Sequence, residues 1–296
     1  MRSMGRNHRE SAHTRHTRHT RHARTYLMCP PEYFTVEYAI NPWMNPGDPV
    51  DLPLAKRQWE RLRSTYVSLG HTVHIIDAEP GLPDMVFAAN GATVIGGNVL
   101  GSRFKHPERH PEGAAYMDWF RRKGYRVVEP DHVNEGEGDI VFAGETIIAG
   151  YGFRSIRDVS AQAGALFGLP VISVRLVDPR FYHLDTALIV LDENTAAYYP
   201  AAFDEAGQAA LAARFPELIE AKAADAEMLG LNGLSDGRNV VMPVQAEWLA
   251  GEISAAGFTV VPVDMSEFKK AGGGPKCCTL ELRQAGGTGA GQSSDG

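Results

Sequence analysis

Two segments, 92–102 (ATVIGGNVLGS) and 139–152 (DIVFAGETIIAGYG), decide the fold of this chain. Each places apolar, strand-forming residues on both sides of a glycine, which is the pattern of two short antiparallel strands joined by a tight turn. A third segment of the same kind, 186–200 (TALIVLDENTAAYYP), turns at residues 192–194. We therefore predict three β-hairpins.

A helix and then a further strand follow each predicted hairpin. The helical spacing of apolar residues, closed by glycine or by a break in the pattern, predicts helices at 54–69, 111–123, 157–167, 204–214 and 245–257. Alternating or apolar runs predict single strands at 33–40, 72–78, 125–130, 170–177, 221–226, 238–244 and 259–264. The chain therefore repeats a hairpin, a helix and a strand several times.

This repeat predicts the fold class. A doubly wound sheet has one strand for each helix, so it does not fit the order of elements. A mixed α/β unit repeated around an axis fits better, and it would bring loops together at the centre of a single domain. We expect a functional site at that centre.

The two ends of the chain differ in composition from the part between them. Residues 13–24 read HTRHTRHTRHAR and contain no large apolar side chain, and the last residues are rich in glycine and serine. We predict a disordered His/Arg-rich tail at 1–25, a folded domain at 26–283 and a disordered tail at 284–296. The alternative for the first tail is a module that binds metal, anions or nucleic acid.

The composition limits the classes of partner. The 296 residues have a net charge of −7, but residues 1–25 carry seven arginines and one glutamate, so the rest of the chain carries −13. An acidic body argues against nucleic acid and tolerates a small cationic substrate. No apolar run is long enough to span a membrane. Three cysteines without metal-binding spacing indicate a reducing, cytoplasmic compartment and no metal site.

Two segments carry candidate catalytic groups. His183 and Asp185 are two positions apart in FYHLDTAL, so on a strand both side chains would face one cavity. Cys277 follows three glycines, a proline and Lys276, whose charge would lower the pKa of the thiol. A thiol, a histidine and carboxylates are the set required for nucleophilic catalysis. The alternatives are a core histidine and an inert buried cysteine, and we expect one of Cys277 and Cys278 to be inert.

Acidic residues alternate with glycines in NEGEGDI (134–140). On a strand end, Glu135, Glu137 and Asp139 would face the same way and repel one another, which suits proton transfer or binding of a cation. The alternative is a solvated acidic loop.

Arginines supply candidate anion-binding groups. Arg109 and Arg154 are candidates to hold a carboxylate, and Arg154 follows a glycine turn at the end of a predicted hairpin. Arg103 is better interpreted as a surface residue.

Five segments in this order resemble the guanidino-group-modifying superfamily, also called the pentein fold, which includes arginine deiminases, dimethylarginine dimethylaminohydrolases and amidinotransferases. The resemblance extends over nearly all of residues 26–283. The segments are YLMCPPEYFTVEYAINPWM (26–44), DMVFAAN (84–90), NEGEGDI (134–140), RFYHLDT (180–186) and KCCTLELR (276–283). The first and fourth are similar to the arginine dihydrolase branch in particular.

The resemblance implies a five-bladed α/β propeller of ββαβ units and a covalent mechanism without metal or cofactor. It implies that Cys277 is the nucleophile, that His183 is the general acid and base, and that Glu135 holds the guanidinium. Glu137 falls at a variable position of the motif and has no implied role. Together with the candidates above, the predicted substrate-binding residues are Asn41, Asp84, Asn90, Arg109, Arg154 and Asp185.

Asn90 departs from the pattern of many relatives, which have aspartate at this position. A neutral amide offers both a donor and an acceptor, so it suits a neutral ureido group as well as a cation. The arginine dihydrolase branch resembles this sequence in having asparagine here. The resemblance to that branch implies hydrolysis beyond citrulline to ornithine. Typical dimethylarginine enzymes have lysine where Asp185 stands, so both substrates stay open.

We therefore expect a hydrolase that opens the guanidinium group of arginine or an Nω-methylated arginine through a covalent intermediate on Cys277. Two alternatives remain at this point: an amidinotransferase, in which an amine replaces water as the second nucleophile, and a binding protein that lost turnover. The partner expected is a small molecule rather than nucleic acid or membrane, and a homo-oligomer is compatible with the sequence.

Overall fold

A computed structural model describes residues 19–284, which form short strands and helices in regular alternation. The α-helices are α1 (Leu52–Ser68), α2 (His110–Arg122), α3 (Val159–Phe167), α4 (Glu205–Arg214), α5 (Ala223–Ala226), α6 (Glu247–Ala255) and α7 (Ser266–Lys269). The strands are β1 (Thr25–Met28), β2 (Thr72–Ile75), β3 (Ala92–Ile95), β4 (Asn98–Gly101), β5 (Arg126–Val128), β6 (Ile140–Ala143), β7 (Thr146–Tyr151), β8 (Val171–Arg175), β9 (Leu188–Val190), β10 (Thr195–Tyr198), β11 (Glu217–Glu220), β12 (Leu234–Ser235), β13 (Asn239–Pro243), β14 (Thr259–Val263) and β15 (Leu280–Glu281).

The strands form five three-stranded sheets with the same internal order. In each sheet the middle strand pairs antiparallel with one neighbour and parallel with the other, as β4 does with β3 and β5. Parallel neighbours need a crossover connection, and a helix supplies it in every sheet: α1, α2, α3, α4 or α6. The predicted α/β fold of repeated hairpin, helix and strand is confirmed at the level of these five sheets.

The two ends of the domain complete one sheet together. β15 pairs antiparallel with β1, with Leu280 opposite Leu27, and β1 pairs parallel with β2. The antiparallel pair of this sheet is therefore made from the first and last strands, in place of a hairpin. Cys277 stands three residues before β15. This closure therefore places Cys277 at the same position relative to its sheet as the residues that precede the antiparallel pairs of the other sheets.

Helix α1 shows why the sequence folds locally in this way. The Asp51 side chain accepts a hydrogen bond from Leu54 N at 2.9 Å and caps the helix, and the chain leaves the helix at Gly70, whose φ is 80°. Its apolar residues Trp59 and Leu62 lie on one face and are buried. The same face packs against the cluster that holds Cys277.

Two predicted strands do not form. Residues 33–40 run without a strand partner, although Phe34 and Val36 are buried as their alternation predicts. Residues 223–226 form helix α5, and the outer strand of that sheet is β11, at residues 217–220, instead. Alternating burial is compatible with a strand, but pairing of the backbone with another strand decides whether a strand forms.

The predicted tail at 1–25 lies partly outside the described residues, as does most of the predicted tail at 284–296. Within the described part, residues 19–24 make specific contacts with the domain. The ring of His19 stacks on Phe258 at a centroid distance of 3.7 Å, and its Nδ1 lies 3.0 Å from Asp192 Oδ2. The composition of the repeat contains no signal of this docking, because the apolar partner lies more than two hundred residues away in the chain.

Between residues 19 and 284, none of the helices is both long and apolar enough to cross a bilayer. In the same range, His, Cys, Asp and Glu side chains form no cluster of three arranged to hold a metal ion.

Candidate active site

Buried polar side chains lie at one recurring position of the fold, directly before the first strand of each antiparallel pair. These segments are short 3₁₀ or other turns, which hold side chains close to the start of a strand without continuing it. The residues at this position are Asn90 before β3, Glu135 before β6, His183 and Asp185 before β9, Asn232 before β12 and Cys277 before β15. Each of them is at most 2% exposed.

The thiol of Cys277 contacts two polar side chains. Its Sγ donates to Asp185 Oδ2 at 3.3 Å and accepts from Asn232 Nδ2 at 3.0 Å. The residue also packs in the apolar cluster that contains Phe87 and Phe268. Burial, followed by the nearby Asp185 carboxylate, raises the pKa of the Cys277 thiol well above its usual value. In the free protein this sulfur is therefore held as a neutral thiol.

His183 is held by an ionised carboxylate. Its Nε2 lies 2.8 Å from Glu135 Oε2, and the same oxygen accepts from Arg154 Nη1 at 2.9 Å. Burial opposes ionisation of Glu135, but the charge of Arg154 and the hydrogen bond from His183 outweigh it, so the pKa of this carboxyl lies well below its usual range. The Glu135 carboxylate thereby orients the imidazole and leaves Nδ1 as the nitrogen available for proton transfer.

A second buried group of charges lies around Arg109. This guanidinium donates to Glu112 Oε2 at 2.7 Å and to Asn90 Oδ1 at 3.0 Å, and its Nε lies 3.9 Å from Asp84 Oδ2. Tyr38 OH also donates to Asp84 Oδ2, at 2.8 Å. Burial raises the pKa of Glu112 to about 7 and that of Asp84 above its usual value, although Arg109 lowers both. Arg109 therefore fixes the amide of Asn90 while its charge is shared between two carboxyl groups.

Side chains from distant loops hold the glycine-rich segment that precedes Cys277. Asn41 Nδ2 donates to Ala271 O at 3.1 Å, and Tyr182 OH donates to Gly272 O at 3.0 Å. Arg154 lies over the Tyr182 ring at 4.6 Å and donates to Ile40 O. A Cβ at Gly272, where φ is 83°, would come within 3.1 Å of Asn41 Oδ1. These glycines let the chain approach protein side chains closely, which is how the loop places the thiol.

Three buried side-chain atoms of the site have no hydrogen-bond partner within residues 19–284: Asp84 Oδ1, His183 Nδ1 and Asp185 Oδ1. Buried polar atoms are normally paired, because an unpaired one costs about 1–3 kcal/mol. Two carboxylate acceptors and one imidazole nitrogen thus remain available in one region. They match the needs of a cationic ligand with several N–H groups.

The acidic residues of 134–140 do not face one way as predicted. Residues 136–138 form a 3₁₀ turn, so Glu135 points to His183 while Glu137 bonds Lys276 Nζ at 2.8 Å and also pairs with Arg283. Asp139 accepts from Ser155 N at 3.0 Å and stabilises the loop. The prediction that Lys276 lowers the thiol pKa is not supported either, because its charge is paired with Glu137.

The sequence interpretation missed Asn232, Glu112 and Tyr38. Glu112 and Tyr38 carry no local signal, since only the fold brings them to Arg109 and Asp84. Asn232 has a weak one: it precedes a glycine and stands two residues before β12, just as Asn90 precedes Gly91 and stands two residues before β3. Comparing repeats would have revealed it. Arg103, interpreted as a surface residue, is exposed.

We expect Asp185→Asn to make the protein more stable at neutral pH. Burial raises the pKa of Asp185 from 3.8 to about 6, so the folded state binds this proton more tightly than the unfolded state does. The carboxylate therefore costs stability that grows as the pH rises from about 4 to about 6, and a shift of about two pH units corresponds to about 3 kcal/mol. An asparagine, which never ionises, should avoid that cost.

Urea unfolding at pH 4.5 and pH 7.5 checks this expectation. The gain of the variant should be several-fold larger at pH 7.5 than at pH 4.5. Asp131→Asn is the matched control, because Asp131 is exposed and its substitution should change stability little at either pH. A variant less stable than the original at pH 7.5 would mean that the partners of Asp185 outweigh its burial.

Comparisons with known proteins identify the family of this chain. The family model for eukaryotic N,N dimethylarginine dimethylhydrolase matches residues 51–284. The N(G),N(G)-dimethylarginine dimethylaminohydrolase of Mycobacterium tuberculosis is 53% identical, over 88% of this chain and 86% of that protein. The bifunctional arginine dihydrolase/ornithine cyclodeaminase ArgZ of Synechocystis is 37% identical over 87% of this chain, which spans only 37% of ArgZ.

Solved structures show the same relationship. The N-terminal domain of ArgZ, in a crystal structure with a covalently bound reaction intermediate, is 36% identical and has a TM-score of 0.85. The match covers 88% of this chain and 98% of that one. The chain therefore belongs to the dimethylarginine dimethylhydrolase family, in the branch of the pentein superfamily that it shares with the arginine dihydrolases.

Proposed function

We propose that this protein hydrolyses the guanidinium group of L-arginine or of an Nω-methylated arginine, and gives citrulline with ammonia or an alkylamine. It is thus a hydrolase acting on the C–N bonds of a linear amidine. The observation that carries the proposal is the buried set in which Cys277 Sγ lies 3.3 Å from Asp185 while His183 is bound to Glu135. These are a nucleophile, a cation-binding carboxylate and an oriented acid/base.

Unpaired acceptors of the site would bind the guanidinium. Asp185 Oδ1 is an acceptor beside the thiol, and Asp84 Oδ1 is a second one. Glu135 Oε1 accepts only Lys105 N among the described contacts, so it keeps capacity for a further N–H. A planar cation with N–H groups on three nitrogens would satisfy such acceptors at once, through charge-assisted hydrogen bonds.

Binding of the cation also activates the nucleophile. Burial and the Asp185 carboxylate keep Cys277 protonated, so a positive charge beside the sulfur removes much of the penalty for forming the thiolate. The thiol proton then leaves to solvent as the substrate binds. The enzyme is thereby reactive mainly when a cation occupies the site.

The reaction follows in two halves. The thiolate forms a C–S bond to the guanidinium carbon, imidazolium His183 protonates the departing nitrogen, and the C–N bond breaks to leave an S-alkylthiouronium. His183 then takes a proton from water as the water oxygen bonds to the same carbon. The C–S bond breaks, the electron pair returns to sulfur, and the hydroxyl proton is lost as the ureido carbonyl forms. Glu135 stabilises the imidazolium in both halves.

Arginines remain our choice for the α-carboxylate of the substrate, with Arg154 the stronger candidate. Among the described residues, Arg154 Nη1 donates once, to Glu135, and Nη2 donates once, to Ile40 O. Arg109 is more fully engaged, with Glu112, Asn90 and Asp84 O. A guanidinium with N–H groups left over suits a second carboxylate. Asn41, which holds the glycine loop, would keep that end of the site closed.

A second hydrolysis, from citrulline to ornithine, is the other candidate outcome. Arg109 donates to Asn90 Oδ1, so the NH₂ group of Asn90 is turned toward Glu135 O, at 3.5 Å. This amide can donate to the neutral ureido oxygen of citrulline, which a carboxylate would not. Amidino transfer has no such support in the site.

We also infer that the five sheets are the blades of a five-bladed α/β propeller. Support comes from their common order, from the closure of one sheet by β1 and β15, and from the recurrence of buried polar residues before the first strand of each hairpin. In a ring of blades these positions converge at the axis.

The test is to incubate the protein separately with arginine, monomethylarginine, dimethylarginine and agmatine, and to identify the products by mass. We expect citrulline from at least one of the first three, with ornithine as a later product if Asn90 acts as proposed. Agmatine, which has no carboxylate, should react at least 10-fold more slowly if an arginine side chain binds that group. Glycine added as an acceptor should give no guanidinoacetate. No consumption of any of the three arginines would overturn the function.

A further inference from the structure

Asn232, in the turn that precedes β12, contacts the nucleophile directly. Its Nδ2 lies 3.0 Å from Cys277 Sγ, its Oδ1 accepts from Cys277 N at 3.1 Å, and it is fully buried. We propose that Asn232 is a further catalytic residue, whose side-chain amide donates an N–H to the sulfur of Cys277 and stabilises the thiolate. The catalytic part of this inference rests on the proposed function.

The partners of Asn232 fix the orientation of its amide. The backbone N–H of Cys277 can only donate, so the atom that faces it must be Oδ1. On the other side, the carbonyl oxygen of Asp185 can only accept, and it lies 3.1 Å from Nδ2. An exchange of the two amide atoms would place donor against donor and acceptor against acceptor. The N–H group therefore points to the sulfur.

The loop around Asn232 is built to hold it there. Leu229 has a φ of 54°, a left-handed conformation that is costly for a side chain other than glycine, and its carbonyl accepts from Asn232 N at 2.9 Å. A Cβ at Gly274 would come within 2.9 Å of Asn232 Oδ1. Lys276 N also donates to Asn232 O at 3.1 Å. The two loops thus meet along the backbone and the side chain of one asparagine.

The position of Asn232 in the repeat points the same way. The segments before β3, β6, β9 and β15 each place at least one predicted site residue, and Asn232 is the buried polar side chain of the remaining segment, before β12. Every repeat would then contribute a polar group to the site.

The chemical effect follows from the two contacts of the sulfur. In the neutral thiol, the S–H points to Asp185 Oδ2 and Asn232 donates to the sulfur. When the proton leaves, the contact with Asp185 becomes repulsive, but the contact with Asn232 becomes a hydrogen bond to an anion. Hydrogen bonds to charged groups are worth more than those between neutral groups. Asn232 would therefore offset part of the burial that disfavours the thiolate.

The experiment measures the reactivity of Cys277 in the absence of substrate. The rate of alkylation by iodoacetamide is followed from pH 6 to pH 10 by peptide mass, in a Cys278→Ala background so that Cys277 is the single thiol of its peptide, while Cys29 lies in another peptide. Asn232→Ala and Asn232→Asp are compared with the unsubstituted residue, and Asn194→Ala is the matched control because Asn194 is exposed in a turn. Asn232→Asp keeps the shape and the acceptor for Cys277 N but replaces the N–H donors with a carboxylate oxygen, whose charge would disfavour the thiolate further.

We expect alkylation at pH 7.5 to fall about 10- to 100-fold in both Asn232 variants, and by a similar factor wherever the thiol is still mainly protonated. The kcat for arginine should fall by a similar factor while KM changes less than about 3-fold. The control should follow the original at all pH values.

Two outcomes would overturn the proposal. Superimposable alkylation profiles would show that the amide does not act on the thiolate. Faster alkylation in both variants would show that the amide shields the sulfur instead of stabilising the thiolate. If Asn232→Ala does not fold, Asn232→Asp, which is close in shape, decides between these outcomes. An original protein that alkylates normally but turns over none of the three arginines would contradict the proposed function and leave the proposed contact intact.

Discussion

Replacing Cys277 with serine is expected to lower kcat for arginine about 10⁴-fold or more, because loss of a nucleophile removes the covalent pathway as a whole. The serine hydroxyl is a far weaker nucleophile than the thiolate, and Asp185, 3.3 Å from this position, would oppose its ionisation further. The measurement is the rate of citrulline and ammonia release at saturating arginine. Binding of arginine, followed by calorimetry, should persist in the variant.

Cys278→Ser is the matched control for this result. Cys278 is the adjacent residue and is equally buried, but no hydrogen bond of its side chain connects it to the described site residues. Its substitution should cost stability, since a hydroxyl replaces an apolar-like thiol, yet kcat should stay within a few-fold of the original. Undiminished turnover in Cys277→Ser, or loss of turnover only in Cys278→Ser, would show that Cys277 is not the nucleophile.

Replacing His183 with alanine should lower kcat by about 10²- to 10⁴-fold, the usual range for loss of a general acid and base. This residue serves in both halves of the proposed reaction, so its loss should also slow breakdown of the covalent intermediate. Intact-protein mass spectra, taken after brief exposure to arginine and rapid acid quenching, should then show the mass of arginine less one ammonia added to the protein.

His74→Ala is the control for that substitution, because His74 lies exposed on the outer strand β2. It should leave kcat, KM and the pH profile unchanged. A His183→Ala variant whose kcat falls less than about 3-fold would remove the imidazole from the mechanism, and Glu135 would then be the remaining candidate for proton transfer.

Local patterns predicted the secondary structure well wherever a pattern depends on neighbours in the chain. The helices at 54–69 and 111–123 were predicted within a few residues of α1 and α2, since spacing and terminal glycines determine a helix locally. The strand predicted at 33–40 was wrong, because strand formation requires a partner from elsewhere in the chain. Its alternation correctly placed Phe34 and Val36 inside, in an extended stretch without pairing.

The site shows the same division between local and distant information. The sequence alone determined the kind of chemistry, through the thiol, the imidazole and the carboxylates of its motifs, and the repeated unit of the fold. Only the tertiary structure decided which groups meet: Glu135 beside His183, Glu137 rather than the thiol beside Lys276, and Asn232 on the sulfur. The physical reason is that a side chain's direction depends on backbone turns of a few residues, while its partners come from loops that only closure of the five sheets brings together.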